Sequence, residues 1–408
     1  MLTLRPVILS RLSLPSQVAA ACAAALLIGL SACGSSSDAA PAVSEPGLDA
    51  AADEAALPDG SVPDAVTADA WSDAASDVAV ADALASDAHF DAPSPSDAPH
   101  SDAPPACQAT DPRETPLELS VLPESGEAPF VTALAKAQND IRVMVYMMGY
   151  GGILDTLKQK ASEGKLVRVI LDQSQIDTNQ KYYDQLTAAG AQVRWSDPQF
   201  TYMHAKVLVV DGKEAVLSTG NYSKSYMAKE RNYIVSDKDP QDLEDMIALF
   251  EADWQKVTPD LSCTRLVVSP VNAKDRILAV IHAATSSLAI ESMQFSDKQV
   301  REAVAERKAA GVEVRVLLAA PSWIDANTDA AAYLAGLGIE ARWLASPSVH
   351  VKAIVADSAR AYAGSENLSW TSLTKNREVG VVTEEVAVVT TMQETFEADW
   401  EIATVFGN

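Results

Sequence analysis

The chain has 408 residues and a formal net charge of −25, from 31 basic and 56 acidic residues, and 48% of it is hydrophobic. That balance argues against a broad surface for binding a nucleic-acid backbone, and the length supports one large or two modest cores. The acidity is uneven: Gly34 to Asp111 holds 16 acidic residues and no lysine or arginine, which with Arg5 and Arg11 ahead of it leaves about −11 for the rest.

Arg5 and Arg11 precede an apolar run from Val18 to Leu30, a pattern that reads as a signal segment and is too short to span a bilayer. Its end, Leu30-Ser31-Ala32-Cys33-Gly34, resembles the lipobox of bacterial lipoproteins. The resemblance implies cleavage before Cys33, acylation of that cysteine and, from Gly34, sorting to the outer membrane of a bacterial envelope; an ordinary secretory signal is the alternative. Residues 34–112 are Ala, Asp, Pro and Ser with few large apolar side chains, so they cannot offset chain entropy and read as a disordered acidic tether. The 74-position separation of Cys33 and Cys107 would reach on the order of 50 Å or more. Once Cys22 and Cys33 are set aside, Cys107 and Cys263 form a candidate disulfide in an oxidising compartment, against two thiols that never meet.

Two similar halves follow, at 113–260 and 261–408. In the first, helical periodicity over Pro129–Gln138 leads to a strand at Ile141–Tyr146, then Ile153–Gly164 to Val167–Leu171, and Tyr182–Gly190 to Ala191–Trp195. The second repeats this with Ala273–Ala284 and Ser287–Ser292, Lys298–Gly311 and Val314–Leu318, then Asp329–Leu337 and Ile339–Trp343. Each half then has a hairpin, turning at Asp211-Gly212 or Asp357-Ser358, a strand at Asn232–Ser236 or Glu378–Thr383, and a closing helix. Such alternation predicts an α/β fold of two tandem repeats, each a mixed β-sheet flanked by helices.

At an offset of 146, His204, Lys206, Asp211, Asn221 and Arg231 recur as His350, Lys352, Asp357, Asn367 and Arg377, and Phe250-Glu251-Ala252-Asp253-Trp254 recurs letter for letter at 396–400. A fixed offset over so many positions marks a duplicated unit. Residues two apart share one face of a strand, so each histidine and its lysine can meet one ligand. Asp211 and Asp357 sit at turns and read as aspartates bonding their own turn backbone. The Phe-Glu-Ala-Asp-Trp box reads as a helix end packed on the sheet, and Trp323, Trp370, Tyr202, Tyr222 and Tyr226 as core rather than pocket lining.

These strings resemble the signature of the phospholipase D superfamily, His-x-Lys, four residues, Asp, six residues, Gly-Ser-x-Asn. The second copy fits it throughout, with Gly364, Ser365 and Asn367; in the first, Ser218-Thr219 replaces Gly-Ser. The resemblance implies one active site shared by the halves, in which Lys206, Lys352, Asn221 and Asn367 cradle a phosphodiester, one histidine becomes a phosphohistidine and the other protonates the leaving alcohol. Thr219 and Ser365 would support the site, and Asn232 and Glu378, eleven residues past each asparagine, would orient the histidines. If each serves its own half, the Glu378 carboxylate favours protonated His350 as general acid, and neutral Asn232 leaves His204 as nucleophile.

The function implied is a metal-independent phosphodiesterase, a hydrolase of phospholipase D type acting on phospholipid headgroup esters. The alternatives are a cardiolipin synthase-like phosphatidyltransferase, an envelope nuclease and a non-catalytic lipid-binding protein. No cofactor is expected and no metal, since no second cysteine or histidine stands at ligand spacing beside either motif. The expected partners are the phospholipid substrate and the membrane, reached through the lipid anchor. Nucleic acid fits the charge less well, no protein partner is indicated, and with both half-sites in one chain a monomer suffices.

Overall fold

The computed structural model describes residues 112–407. The signal, lipobox and tether expectations, and Cys107, lie outside them; Cys263 is exposed. The first half builds β1 (Glu118–Leu122), α1 (Ala128–Ala135), β2 (Asp140–Val145), α2 (Gly152–Ser162), β3 (Leu166–Leu171), α3 (Ile176–Ala188), β4 (Gln192–Trp195), β5 (Lys206–Val210), β6 (Glu214–Ser218), α4 (Lys224–Met227), β7 (Glu230–Asp237) and α5 (Pro240–Gln255). The second builds β8 (Val267–Ser269), α6 (Ala273–Ala283), β9 (Ser287–Ser292), α7 (Lys298–Ala309), β10 (Glu313–Ala319), α8 (Ala326–Gly336), β11 (Glu340–Leu344), β12 (Ser348–Val349), β13 (Lys352–Ala356), β14 (Arg360–Gly364), α9 (Trp370–Thr374), β15 (Glu378–Thr383), α10 (Val386–Ile402) and β16 (Thr404–Val405).

Both sheets have the same strand order. The first runs β1-β7-β6-β5-β2-β3-β4 and the second β8-β15-β14-β13-β9-β10-β11, with β16 added at its end. Strands β2, β3 and β4 are parallel, as are β9, β10 and β11, while the motif hairpins pair antiparallel with β2 and β9. The expected mixed-sheet α/β repeats are therefore present; the short edge strands β1, β8, β12 and β16 and the helices α4 and α9 carry too weak a periodicity to be expected from sequence.

The central strands are apolar runs buried on both faces, which is why they alternate poorly between inside and outside. On one face of each sheet lies a separate core, with Phe130, Leu154 and Leu186 in the first half and Ile277, Val304 and Leu334 in the second. The other faces share one core, in which Val207, Tyr233, Phe250 and Trp254 pack in the same cluster as Ala353, Val355, Phe396 and Trp400. Helices α5 and α10 thus contribute to the apolar layer joining the halves. Asp239 starts α5 by accepting the backbone N–H of Gln241 and Asp242.

The duplicated box on these helices is structural, and each polar or aromatic letter has a partner. Glu251 accepts two hydrogen bonds from Arg168, at 2.8 and 2.5 Å, and that guanidinium lies 5.1 Å from the Phe250 ring and 5.6 Å from Trp254. Glu397, Phe396 and Trp400 treat Arg315 in the same way. The aspartates reach across instead: Asp399 takes Arg231 of the first half bidentately at 2.6 and 2.9 Å, and Asp253 pairs with Arg377 of the second at 2.9 and 3.0 Å. Reciprocal buried ion pairs therefore clamp the two halves together.

The turn aspartates differ from expectation. Asp211 and Asp357 adopt φ of 52° and 55°, and their carboxylates bond a neighbouring connection rather than their own turns. Asp211 accepts the backbone N–H of Gln138, Asn139 and Asp140, and Asp357 those of Thr285, Ser286 and Ser287. Each fastens a helix-to-strand loop onto the motif hairpin, where three unpaired donors need an acceptor. Burial pushes the Asp357 carboxyl up, but these donors outweigh it and hold it well below the usual range.

Candidate active site

Strands β5 and β13 begin at Lys206 and Lys352, and each motif histidine stands two residues earlier, at the edge facing the other half. Backbone pairing across the halves sets both rings. The N–H groups of His204 and Ala205 donate to the Arg377 carbonyl at 2.9 Å, and that of His350 to the Arg231 carbonyl at 3.2 Å. Bridges Met203–Arg377 and Val349–Arg231 repeat the pattern, so the halves meet around a pseudo-twofold relation. Because Arg231 and Arg377 are held at the opposite histidine, the next residue of each chain segment projects to that histidine too.

The orienting pairs therefore cross the interface, which corrects the expectation that each residue serves its own half. Glu378 Oε2 lies 2.7 Å from His204 Nδ1, and Asn232 Oδ1 lies 3.1 Å from His350 Nδ1. Two further residues, which sequence reasoning did not assign, complete the arrangement. Asn376 Nδ2 donates to Glu378 Oε1 at 2.9 Å, and Asn232 Nδ2 donates to Glu230 Oε2 at 3.1 Å, with that oxygen 3.5 Å from His350 Nδ1. Each half thus contributes one carboxylate and one amide in opposite order, Glu230-Arg231-Asn232 against Asn376-Arg377-Glu378. The swapped order was visible in the sequence; its meaning was not.

Hydroxyls finish the shell. Ser372 Oγ donates to Glu378 Oε1 at 2.6 Å, and Thr219 Oγ1 donates to Asn232 Oδ1 at 2.8 Å. Ser365 Oγ accepts the Val379 N–H at 3.0 Å, as Thr219 Oγ1 accepts that of Tyr233. Thr219 and Ser365 thus tie each motif to the strand of its own half that carries the residue facing the opposite histidine. A side chain at Gly364 would collide with the Glu366 carboxyl, the Tyr362 hydroxyl and the Gly380 backbone; the first copy, with Ser218, has Gly220, Val216 and Ile234 at the matching positions, so the first two obstacles are absent there.

The lysines are fully buried, and each ammonium donates to its own histidine's carbonyl, Lys206 at 2.6 Å and Lys352 at 2.7 Å. Lys352 also donates to the Thr219 carbonyl of the other half at 3.3 Å. His204 and His350 are 1% and 3% exposed, which closes the imidazoles to bulk water. Tyr146 meets the His204 ring edge-on at 4.7 Å, and Trp323, partly buried, stacks on His350 at 5.8 Å. Burial drives the His350 pKa well down, and Lys352, Lys206 and His204 add to that, so it is neutral near pH 7. Burial raises the Glu378 carboxyl, but His204 and Lys206 more than reverse this and keep it ionised.

The buried Oδ1 atoms of Asn221 and Asn367 have no hydrogen-bond partner among the described residues. Asp172, which sequence reasoning also missed, accepts the Met203 N–H next to His204; burial pushes its carboxyl up. Of the aromatics expected in the core, Tyr222 is buried, but Trp370 and Tyr226 are 52% and 39% exposed because α4 and α9 lie at the surface. A cavity of about 380 Å³ opens between Lys229 and the Ala345–Ser348 segment leading to His350. Among the described residues no three His, Cys, Asp or Glu side chains gather as a metal site, and no helix is long and apolar enough to cross a membrane.

The family model described as cardiolipin synthase, PLD-like domain, matches the chain twice, at residues 130–254 and 277–400. A cardiolipin synthase of Clostridium perfringens (strain SM101 / Type A) is 25% identical over 300 residues, covering 62% of each chain, so this chain spans about 62% of the length of that relative. Among solved structures, polyphosphate kinase from Porphyromonas gingivalis superposes with a TM-score of 0.57 at 17% identity, over 70% of this chain and 47% of that one. Phosphatidylserine synthase from Haemophilus influenzae Rd KW20 does so with a TM-score of 0.53 at 14% identity, over 71% and 87%. Both likenesses are of fold.

Proposed function

The chain belongs to the phospholipase D superfamily, and from that premise we propose that it transfers a phosphatidyl group from one phospholipid to the hydroxyl of another, in the manner of a cardiolipin synthase. The observation that carries this reading is the burial of both imidazoles: a covalent intermediate shielded from bulk water survives until an alcohol arrives. Hydrolysis is the second reading, favoured by the same site whenever water reaches it first.

In the proposed cycle His204 attacks phosphorus, the bond to the headgroup oxygen breaks, and His350 gives that oxygen its proton. The acceptor hydroxyl then loses its proton to His350 and attacks phosphorus, releasing His204. His204 is the nucleophile on a ground opposite to the sequence-level one. Attack places positive charge on its ring, and the ionised Glu378 carboxylate at 2.7 Å offsets that charge directly, whereas His350 Nδ1 meets an amide at 3.1 Å and has its carboxylate, Glu230, farther away at 3.5 Å. His350, neutral in the empty site, takes up its proton together with the phosphate anion. Lys206, Lys352, Asn221 and Asn367 would neutralise the non-bridging oxygens.

For the whole chain we propose a signal through residue 33, a tether to 112 and repeats at 113–260 and 261–408, held at the envelope by acylated Cys33. The Leu30-Ser31-Ala32-Cys33 string supports the anchor. Incubation with labelled phosphatidylglycerol vesicles tests the activity: cardiolipin plus free glycerol is expected, and neither product from His204→Ala or His350→Ala. Phosphatidic acid as the main product would replace transfer by hydrolysis, and cleavage of single-stranded DNA in preference to lipid would replace both.

A further inference from the structure

An exposed rim surrounds the buried site, and the motifs themselves place it there. Helix α4 begins three residues after Asn221 and α9 three residues after Asn367, so both lie directly beside the phosphate cradle. They are repeat mates, Lys224 matching Trp370. Trp370 is 52% exposed and Tyr226 is 39% exposed, and Tyr150, whose carbonyl accepts the Lys224 N–H at 3.2 Å, is 59% exposed. Large aromatic side chains left in water beside a cleft mark a contact surface. Cations accompany them: Lys181 Nζ lies 5.1 Å from the Tyr150 ring, and Lys375 Nζ 5.4 Å from the Trp370 ring. Lys375 also belongs to both halves' surroundings, its carbonyl accepting the Thr201 N–H from the loop that leads to His204.

We propose that Tyr150, Tyr226 and Trp370, with Lys181, Lys224 and Lys375, form a docking surface for an anionic phospholipid bilayer, which presents the headgroup to the buried histidines. The inference rests on the phospholipid reading above and adds how a closed site reaches a lipid. Tyrosine and tryptophan settle at the headgroup level, where their rings are apolar on the face and polar at one end, and lysines beside them meet lipid phosphates. Each lysine near an anionic surface strengthens binding by about fivefold. Charge complementarity selects a bilayer over a nucleic acid. Residues 112–408 carry about −11, which repels an extended polyanion lying along the body, whereas a bilayer touches the rim alone.

The test uses the full chain with Cys33→Ser, so that no acyl group contributes, and vesicles of phosphatidylglycerol mixed with phosphatidylcholine. Cosedimentation is expected to weaken by about tenfold or more in Tyr150→Ala/Trp370→Ala, and in Lys181→Glu/Lys224→Glu/Lys375→Glu, the latter with anionic vesicles alone. Turnover of the soluble diester bis(4-nitrophenyl) phosphate should stay at the wild-type rate in both variants. Vesicle binding equal to wild type in both variants would overturn the inference, as would equal affinity of the wild type for pure phosphatidylcholine vesicles. Loss of single-stranded DNA binding with vesicle binding intact would assign the rim to nucleic acid instead. Binding needs no turnover, so a protein that docks on vesicles and yields no lipid product would remove the proposed function and leave the surface standing.

Discussion

Glutamine in place of Glu378 removes one charge and keeps an oxygen that His204 Nδ1–H can meet. The carboxylate is fully buried, 2.7 Å from the ring nitrogen, with its other oxygen fixed by Ser372 and Asn376. With charge centres about 4 Å apart and an effective dielectric near 20, a carboxylate and a cationic ring interact by about 4 kcal/mol. That attraction belongs to the phosphohistidine and the transition state leading to it, and is nearly absent for the neutral imidazole. Allowing the amide to return about 1 kcal/mol as a hydrogen bond leaves about 3 kcal/mol, a loss of about 10²-fold in forming the intermediate. Rapid-quench single turnover with bis(4-nitrophenyl) phosphate isolates this step, since nitrophenolate leaves without a proton donor. Asn232→Ala, which touches the acid's side, should change the same step by less than about threefold. A Glu378→Gln loss under about fivefold in a protein with wild-type Tm, or a larger loss in Asn232→Ala, would refute the assignment and point to His350 as the attacking ring.

The cross-repeat clamps give a second expectation: Asp399→Asn or Asp253→Asn leaves a buried guanidinium without its main counter-charge and should cost about 3–5 kcal/mol in urea unfolding, with activity falling further because the Arg231 and Arg377 carbonyls hold the histidines. Glu366 is fully buried against Tyr362, and burial together with Glu378 pushes its carboxyl up to about 8. Between the unfolded value near 4.3 and the folded one, the native state holds the extra proton, so this group's contribution to stability falls as pH rises. Glu366→Gln has no such loss, and its Tm relative to wild type should climb between pH 5 and pH 8; a flat difference would mean the carboxyl is ionised in the fold. Asp357→Ala removes the acceptor of three backbone N–H groups and should lower stability by about 1–3 kcal/mol while leaving kcat within about threefold; a folded variant without activity would give the motif aspartate a chemical role.

Much of the molecule was legible because its signals are local. The 146-residue offset, the apolar runs of β5 and β13 and the Asp-Gly turn fix the repeats and put each histidine and lysine on one face. The elements that escaped are short, such as β12 and α9, or depend on a partner far along the chain. The aromatics of α4 and α9 were misplaced in the core because their exposure is set by where those helices meet the surface.

Strand periodicity and turn chemistry act over a few residues and the repeat is read directly from its offset, so the sequence by itself determined two α/β halves and the six side chains whose chemistry suits a phosphodiester. Which carboxylate or amide meets which imidazole was decided only when the sheets packed face to face. Strands β7 and β15 then deliver Asn232 and Glu378 across the interface, and neither spacing nor residue type encodes that exchange. The physical reason is that the orienting contacts join residues 174 and 118 positions apart, through backbone hydrogen bonds that exist only once the halves have docked.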